Sequence, residues 1–132
     1  MAIQLAVSTR NARLDAIETD LGTSPILEIR TGAAPADCAA GDSGTVVATL
    51  TLPSDWAAAA SSGSKAKAGT WQDTSADASG TAAHFRLKTS GGVCKLQGTV
   101  GQGSGDLSLD NTAVVAGQTV TITTFTLTDG NA

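Results

Sequence analysis

The chain has little of what most proteins use to do chemistry. It carries one histidine, two cysteines, no tyrosine and four aromatic rings, those of Trp56, Trp71, Phe85 and Phe125, in 132 residues. A lone histidine without a set of cysteine partners cannot build a usual zinc site. So few rings leave nothing to hold a sugar beside a carboxylate pair. Charge is scarce as well, at 15% of residues against about 25% in ordinary soluble domains. The net charge is −4, and the basic residues are scattered, with Lys65 and Lys67 the densest pair. That argues against nucleic acid, whose binding rests on clustered cations. The apolar runs are far shorter than the ~18 residues of a membrane span. Residues 2–7 (AIQLAV) follow no basic region, and Arg10 and Arg13 interrupt any extension, so no secretory signal is read. The expected product is made and kept in the cytosol, or exported only within something larger.

What is present is small and polar. The length suits one domain with one core. Much of the 41% apolar content is Ala, which buries little area. Stability must then come from Val, Leu and Ile contacts and a long backbone ladder, or from neighbouring subunits.

Residues 8–22 form the one good helical pattern. Leu14, Ile17 and Leu21 recur on one stripe, Ser8 is the expected N-cap, and Gly22 fits the C′ position with Pro25 just beyond. Arg10 and Arg13 sit at the positive end of the helix dipole and Asp20 at the negative end, so partners are expected to neutralise both ends. From residue 26 the period becomes two. Strands are expected at 26–30, at 45–52 with Val46, Ala48, Leu50 and Leu52 on one face, and weakly at 65–72. Further strands follow at 82–88, 93–100, 107–109 and 118–127. Residues 33–44 read as a loop, and 54–64 as a loop or a single helical turn. In 82–88 the alternation puts Ala83, Phe85 and Leu87 inward and His84, Arg86 and Lys88 outward. Cys94, Leu96 and Val100 are expected inward on the next strand. In the last strand Val120 and Ile122 have the opposite parity to Phe125 and Leu127, so a bulge is required near Thr123–Thr124. The expected architecture is all-β with one short N-terminal helix: a single domain 1–132, made of an arm 1–7, a helix 8–22 and an antiparallel β-sandwich or jelly-roll-like domain over 26–128.

No phosphate loop, nucleophile elbow or metal-ligand spacing is found. His84 reads as an outward strand residue. A Cys94–His84 dyad is disfavoured because the two have opposite parity. Cys38 and Cys94 read as free thiols in a cytosolic product, the alternative being a disulfide that closes a loop of 57 residues. The pairs Asp73/Asp77 and Asp106/Asp110 lack the full ligand set for calcium and read as solvated turns. Trp56 and Trp71 read as binding hot spots or core anchors, with at least one of them expected in the core. The expectation is a protein with no catalytic residues, no cofactor and no metal.

Four segments, in order, resemble a family of small virion structural proteins of tailed bacteriophages: 8–17 (STRNARLDAI), 26–36 (ILEIRTGAAPA), 68–86 (AGTWQDTSADASGTAAHFR) and 118–129 (QTVTITTFTLTD). The resemblance runs over nearly the whole chain. It implies a virion component and brings no catalytic residue with it. A short, compact chain without heptads or shaft repeats favours the head over the tail. The expected role is therefore a capsid decoration protein, made in the host cytoplasm and bound to the major capsid protein on the outer face of the shell. A symmetric homo-oligomer is expected, a trimer favoured, with no nucleic-acid or membrane partner. The alternatives are a tail or host-binding module and, more remotely, a small hydrolase. The residues expected to meet the partner are those of the apolar arm: Met1, Ala2, Ile3, Gln4, Leu5, Ala6 and Val7. Such an arm can reach a neighbouring subunit or add a strand to its sheet.

Overall fold

A computed structural model describes residues 3–129. One helix, α1 (Val7–Leu21), precedes ten strands: β1 (Ile26–Arg30), β2 (Val46–Thr51), β3 (Ser64–Ala66), β4 (Gln72–Asp73), β5 (Gly80–Thr81), β6 (His84–Lys88), β7 (Cys94–Gly101), β8 (Leu107–Leu109), β9 (Ala113–Val114) and β10 (Val120–Thr128). Eight of them make a single curled sheet in the order β2-β1-β6-β7-β8-β10-β3, with β4 also on β10. The fold is thus all-β with one N-terminal helix. The sheet is mixed rather than purely antiparallel, because β7 and β8 run parallel. The separate β5–β9 ribbon had no counterpart in the sequence pattern, since each of its strands is two residues long.

The helix begins one residue earlier than expected. Ala6, not Ser8, is the N-cap; its backbone is extended and no side chain caps it. Its carbonyl accepts from the N–H groups of Thr9 and Arg10, so Ser8 is already helical and Val7 belongs to α1 rather than to the arm. At the other end Gly22 takes φ 78° and donates to the Glu18 carbonyl, a left-handed closure that glycine adopts without strain. The unfavourably placed charges do find partners. Arg13 pairs with Asp129 at 3.1 Å and Asp20 with Lys95 at 3.4 Å, while Arg10 donates to the Asp129 carbonyl. Leu14 and Leu21 are buried and Ile17 packs partly against the core.

The bulge required in the last strand is present. The β8–β10 register slips between Ile122 and Thr124, which brings Val120, Ile122 and Phe125 to the core together. All four aromatic rings then line up as one row. Trp56 and Trp71 centroids lie 6.0 Å apart, Trp71 and Phe125 5.4 Å, and Phe125 and Phe85 5.7 Å in an edge-to-face contact. Both indole N–H groups are satisfied, Trp56 by the Gly22 carbonyl and Trp71 by that of Ala68. Residues 54–63 form no helical turn; isolated bridges at Ala57–Lys67 and Ser61–Ser64 hold them as a loop. The single strand expected over 65–72 is split into β3 and β4, because Gly69 at φ 72° breaks it and Trp71 turns into the core.

Three residues expected at the surface are inside. His84, Arg86 and Lys88 are all buried, and so is every residue of β6. Alternation correctly placed Phe85 and Leu87 on the inner face, but the outer face of this central strand is covered too. Cys94, expected inward, lies on that outer face. The β6–β7 register slips between Leu87 and Lys88, so Cys94 stands opposite Lys88.

Two core substitutions test the packing. Phe85→Ala is expected to cost about 3–5 kcal/mol, as for a fully buried ring. Gly98 sits in β7 with no room for a side chain: a Cβ there meets Phe85 Cε1 at 2.9 Å and the Asp106 carboxylate at 2.8 Å. Gly98→Ala is therefore expected to destabilise by about 1–3 kcal/mol through overpacking. Chemical denaturation that leaves either variant within 0.5 kcal/mol of wild type (roughly the scatter of surface changes) would put the 84–101 hairpin in a different register.

Candidate functional site

The densest chemistry lies on the outer face of β1, β6 and β7, where cross-strand register assembles it. Glu28 stands directly opposite Arg86, Arg30 opposite His84, and Ile26 opposite Lys88. The loop 31–45 folds over this face. Its base is closed by two hydrogen bonds, Thr31 N–H to the Thr45 carbonyl and Thr45 N–H to the Thr31 hydroxyl. Gly44, at φ 69°, lies against the Thr31 carbonyl so tightly that a Cβ would collide with it. That turn directs Asp42 down onto the sheet.

Asp42 meets three cations. Its Oδ1 accepts from Arg86 at 2.6 Å, and its Oδ2 faces Lys88 at 2.9 Å and Arg30 at 3.1 Å. Glu28 holds Lys88 at 2.8 Å and Arg30 at 2.9 Å. Arg86 uses its remaining donors on the loop: Nη2 on the Cys38 carbonyl, both terminal nitrogens on the Ala40 carbonyl, and Nε on the Cys94 sulfur at 3.3 Å. His84 donates from Nδ1 to the Gly32 carbonyl at 2.7 Å, and its Nε2 is buried without a partner. The charges respond as such a cluster demands. Hydrogen bonding from Lys88 leads in holding Asp42 below its ordinary value, against the pull of burial. For Glu28 burial is the largest influence and pushes upward, but Lys88 and Arg30 together outweigh it and the carboxyl ends low. Burial pulls Lys88 down, and its two carboxylate partners more than reverse that.

A second buried cation fixes the helix. Lys65 of β3 has a fully buried side chain, and its ammonium reaches Asp15 at 2.7 Å, Glu18 at 2.8 Å and the Ala58 carbonyl at 2.9 Å. Asp15 and Glu18, off the apolar stripe of α1, are thus bound to the sheet while keeping part of their surface in water. Sequence reading missed both clusters for one reason: strand alternation tells which side a residue faces, not whether a loop or helix covers that side. The available signal was an outer face with three cations and one Glu, beside a small-residue loop carrying Asp37 and Asp42.

Neither cluster is arranged for catalysis. Each carboxylate near a buried cation is spent on that cation, and His84 is aimed at a backbone carbonyl rather than at a nucleophile. The carboxylates of the two aspartate pairs accept hydrogen bonds from the chain: Asp73 from the N–H groups of Thr49 and Ser75, Asp77 from the Thr49 hydroxyl, Asp106 from Thr99, and Asp110 from Asn111. Among the described residues no three His, Cys, Asp or Glu side chains converge as a metal would need. A groove of about 400 Å³ runs between β7 and β10 over Phe85, Leu96, Phe125 and Leu127, with Asp106 its one titratable lining residue. Among the described residues no helix is long and apolar enough to cross a membrane.

The expected partner residues are placed in part. Met1 and Ala2 lie outside the described residues. Ile3 is 85% exposed, Gln4 and Ala6 are exposed, Leu5 is half-buried, and Val7 is 46% exposed at the first turn of α1. Only two other large apolar side chains among the described residues are as open, Val93 and Val115. No family model, curated protein or solved structure matches the chain.

The cluster predicts a pH response. Asp42 and Glu28 have folded values below their ordinary 3.8 and 4.5. Their contribution is therefore complete above the unfolded values and is lost as pH falls through the depressed ones. Thermal stability should be level near neutral pH and drop on acidification below about pH 4.5. Asp42→Ala should cost about 2–3 kcal/mol at pH 7, less than a wholly buried pair because Asp42 keeps part of its surface in water, and should flatten the acid limb. An acid limb identical in wild type and variant would show that Asp42 does not carry the linkage.

Proposed function

We propose that this protein is a non-enzymatic structural component of a tailed-bacteriophage particle. In this reading it decorates the outer face of the capsid as a homo-oligomer, a trimer favoured, and binds the major capsid protein. The observation that carries the reading is the contrast between body and arm. The body holds most of its cations in ion pairs, several of them buried, and charge is sparse over the whole chain at 15%. Docking such a surface desolvates few ions, which lowers the cost of association. The arm and the first turn of α1, by contrast, present Ile3 and Val7 to solvent, and an exposed apolar pair on a chain with so few large apolar residues is a contact in search of a partner. The similarity of the four ordered segments to phage virion proteins supports the same class.

The test uses purified particles and tail-less heads. The decoration reading expects the protein on heads, in a copy number comparable with the capsid subunits. The double change Ile3→Asp, Val7→Asp keeps the backbone of the helix start. It should weaken binding to empty shells at least about tenfold, as loss of an apolar anchor does, with thermal stability unchanged. A protein present in a few copies, and only on isolated tails, belongs instead to the tail or host-binding class.

A further inference from the structure

We propose that Cys38 and Cys94 are a built site for an intramolecular disulfide, which locks the loop 31–45 onto the sheet. Both cysteines are free thiols in the structure and both are half-buried. They are brought together by Arg86. One edge of its guanidinium donates from Nε to the Cys94 sulfur at 3.3 Å and from Nη2 to the Cys38 carbonyl at 2.9 Å. The Cys94 thiol is also close enough to Cys38 to raise its ionisation. One guanidinium therefore places the Cys38 backbone beside the Cys94 sulfur across 56 positions of sequence, 94 minus 38.

Placement of Cys94 depends on the register slip between Leu87 and Lys88; without it the thiol would face the core and miss the loop. The far stretch of the loop is held by the Cys38 and Ala40 carbonyls on one guanidinium. Half-burial leaves a path for a small reagent.

The oxidant named here is a small disulfide, oxidised glutathione. One protein thiolate attacks a glutathione sulfur; the glutathione S–S bond breaks, and one glutathione leaves as a thiolate that takes up a proton. The second protein thiolate attacks the protein sulfur of the mixed disulfide and expels the second glutathione, which is likewise protonated. Two protein thiols are oxidised by two electrons, and one glutathione disulfide is reduced to two thiols. Burial first, and then the adjacent Cys94, push the Cys38 thiol up to about 11. Since each cysteine must act once as a thiolate, closure is slow at neutral pH and speeds up as pH rises, whichever cysteine reacts first.

The experiment equilibrates the full chain in oxidised glutathione at pH 7 and pH 9 and then maps it by mass spectrometry under non-reducing conditions. The expected result is a 38–94 cross-linked peptide that forms faster at pH 9. The melting temperature should rise by roughly 10 °C over the reduced protein, as closing a long loop implies. Cys38→Ser and Cys94→Ser should each abolish that rise. Three results would overturn the proposal: both cysteines still open to alkylation after equilibration, a mixed glutathione disulfide that never closes, or a bridged protein that melts with the reduced one. The wild-type chain alone yields these readouts, so a variant that folds poorly does not blunt the test.

Discussion

The structure turns on the carboxylate of Asp42. Arg30, Arg86 and Lys88 sit on one sheet face, where among the described residues Glu28 is the one other carboxylate paired with any of them, namely with Arg30 and Lys88. Buried cations in that ratio would repel one another and oppose closure of any lid. Asp42 arrives from the loop, touches all three, and turns a face that should be wet into an interior. Everything above it follows: the loop has a fixed path, Gly44 must turn, and Cys38 and Ala40 present their carbonyls to Arg86. Lys65 plays a matching role for the helix, joining Asp15 and Glu18 to β3.

Such a body can be poor in charge and in aromatics at once. The inner face of the curled sheet is filled by a single row of the four rings, with Leu, Ile and Val around it. The outer face of β1 and β6 is filled by polar contacts that satisfy one another, His84 Nε2 excepted, and hydrogen bonding is the condition under which buried polar groups are tolerated. At least six of the eight Lys and Arg residues are held in ion pairs. What remains at the surface is mostly small and polar, with exposed aspartates such as Asp20, Asp55, Asp77, Asp106 and Asp110 among it.

Much of the fold was legible. Alternation located β1, β2, β6, β7, β8 and β10 to within about two residues, and the parity conflict between Ile122 and Phe125 required a bulge that is there. Helical spacing of Leu14, Ile17 and Leu21 gave α1, with its start misplaced because Ala6 serves as N-cap without any side-chain signal. The chemistry was less legible. His84, Arg86 and Lys88 alternate with Phe85 and Leu87 as solvent-facing residues do, and only the path of residues 31–45 shows them to be covered. Cys94 was put on the wrong face because a one-residue slip beside Lys88 leaves no mark in the pattern of hydrophobicity. Met1 and Ala2 of the arm fall outside the described residues, and the rest of the arm is placed as far as Val7.

The central claim is that the loop over the sheet is part of the folded interior, so that its charges are structural. Native-state hydrogen exchange, read peptide by peptide, tests it most directly. The amide of Thr31, hydrogen-bonded at the base of the loop, and that of Ala40 within it should share with β6 one slow, cooperative opening, as members of one folding unit do. Rapid exchange across 33–44 while β6 stays protected would contradict it. It would mean that the loop is an ordinary mobile segment and that Arg86, Lys88 and His84 face water.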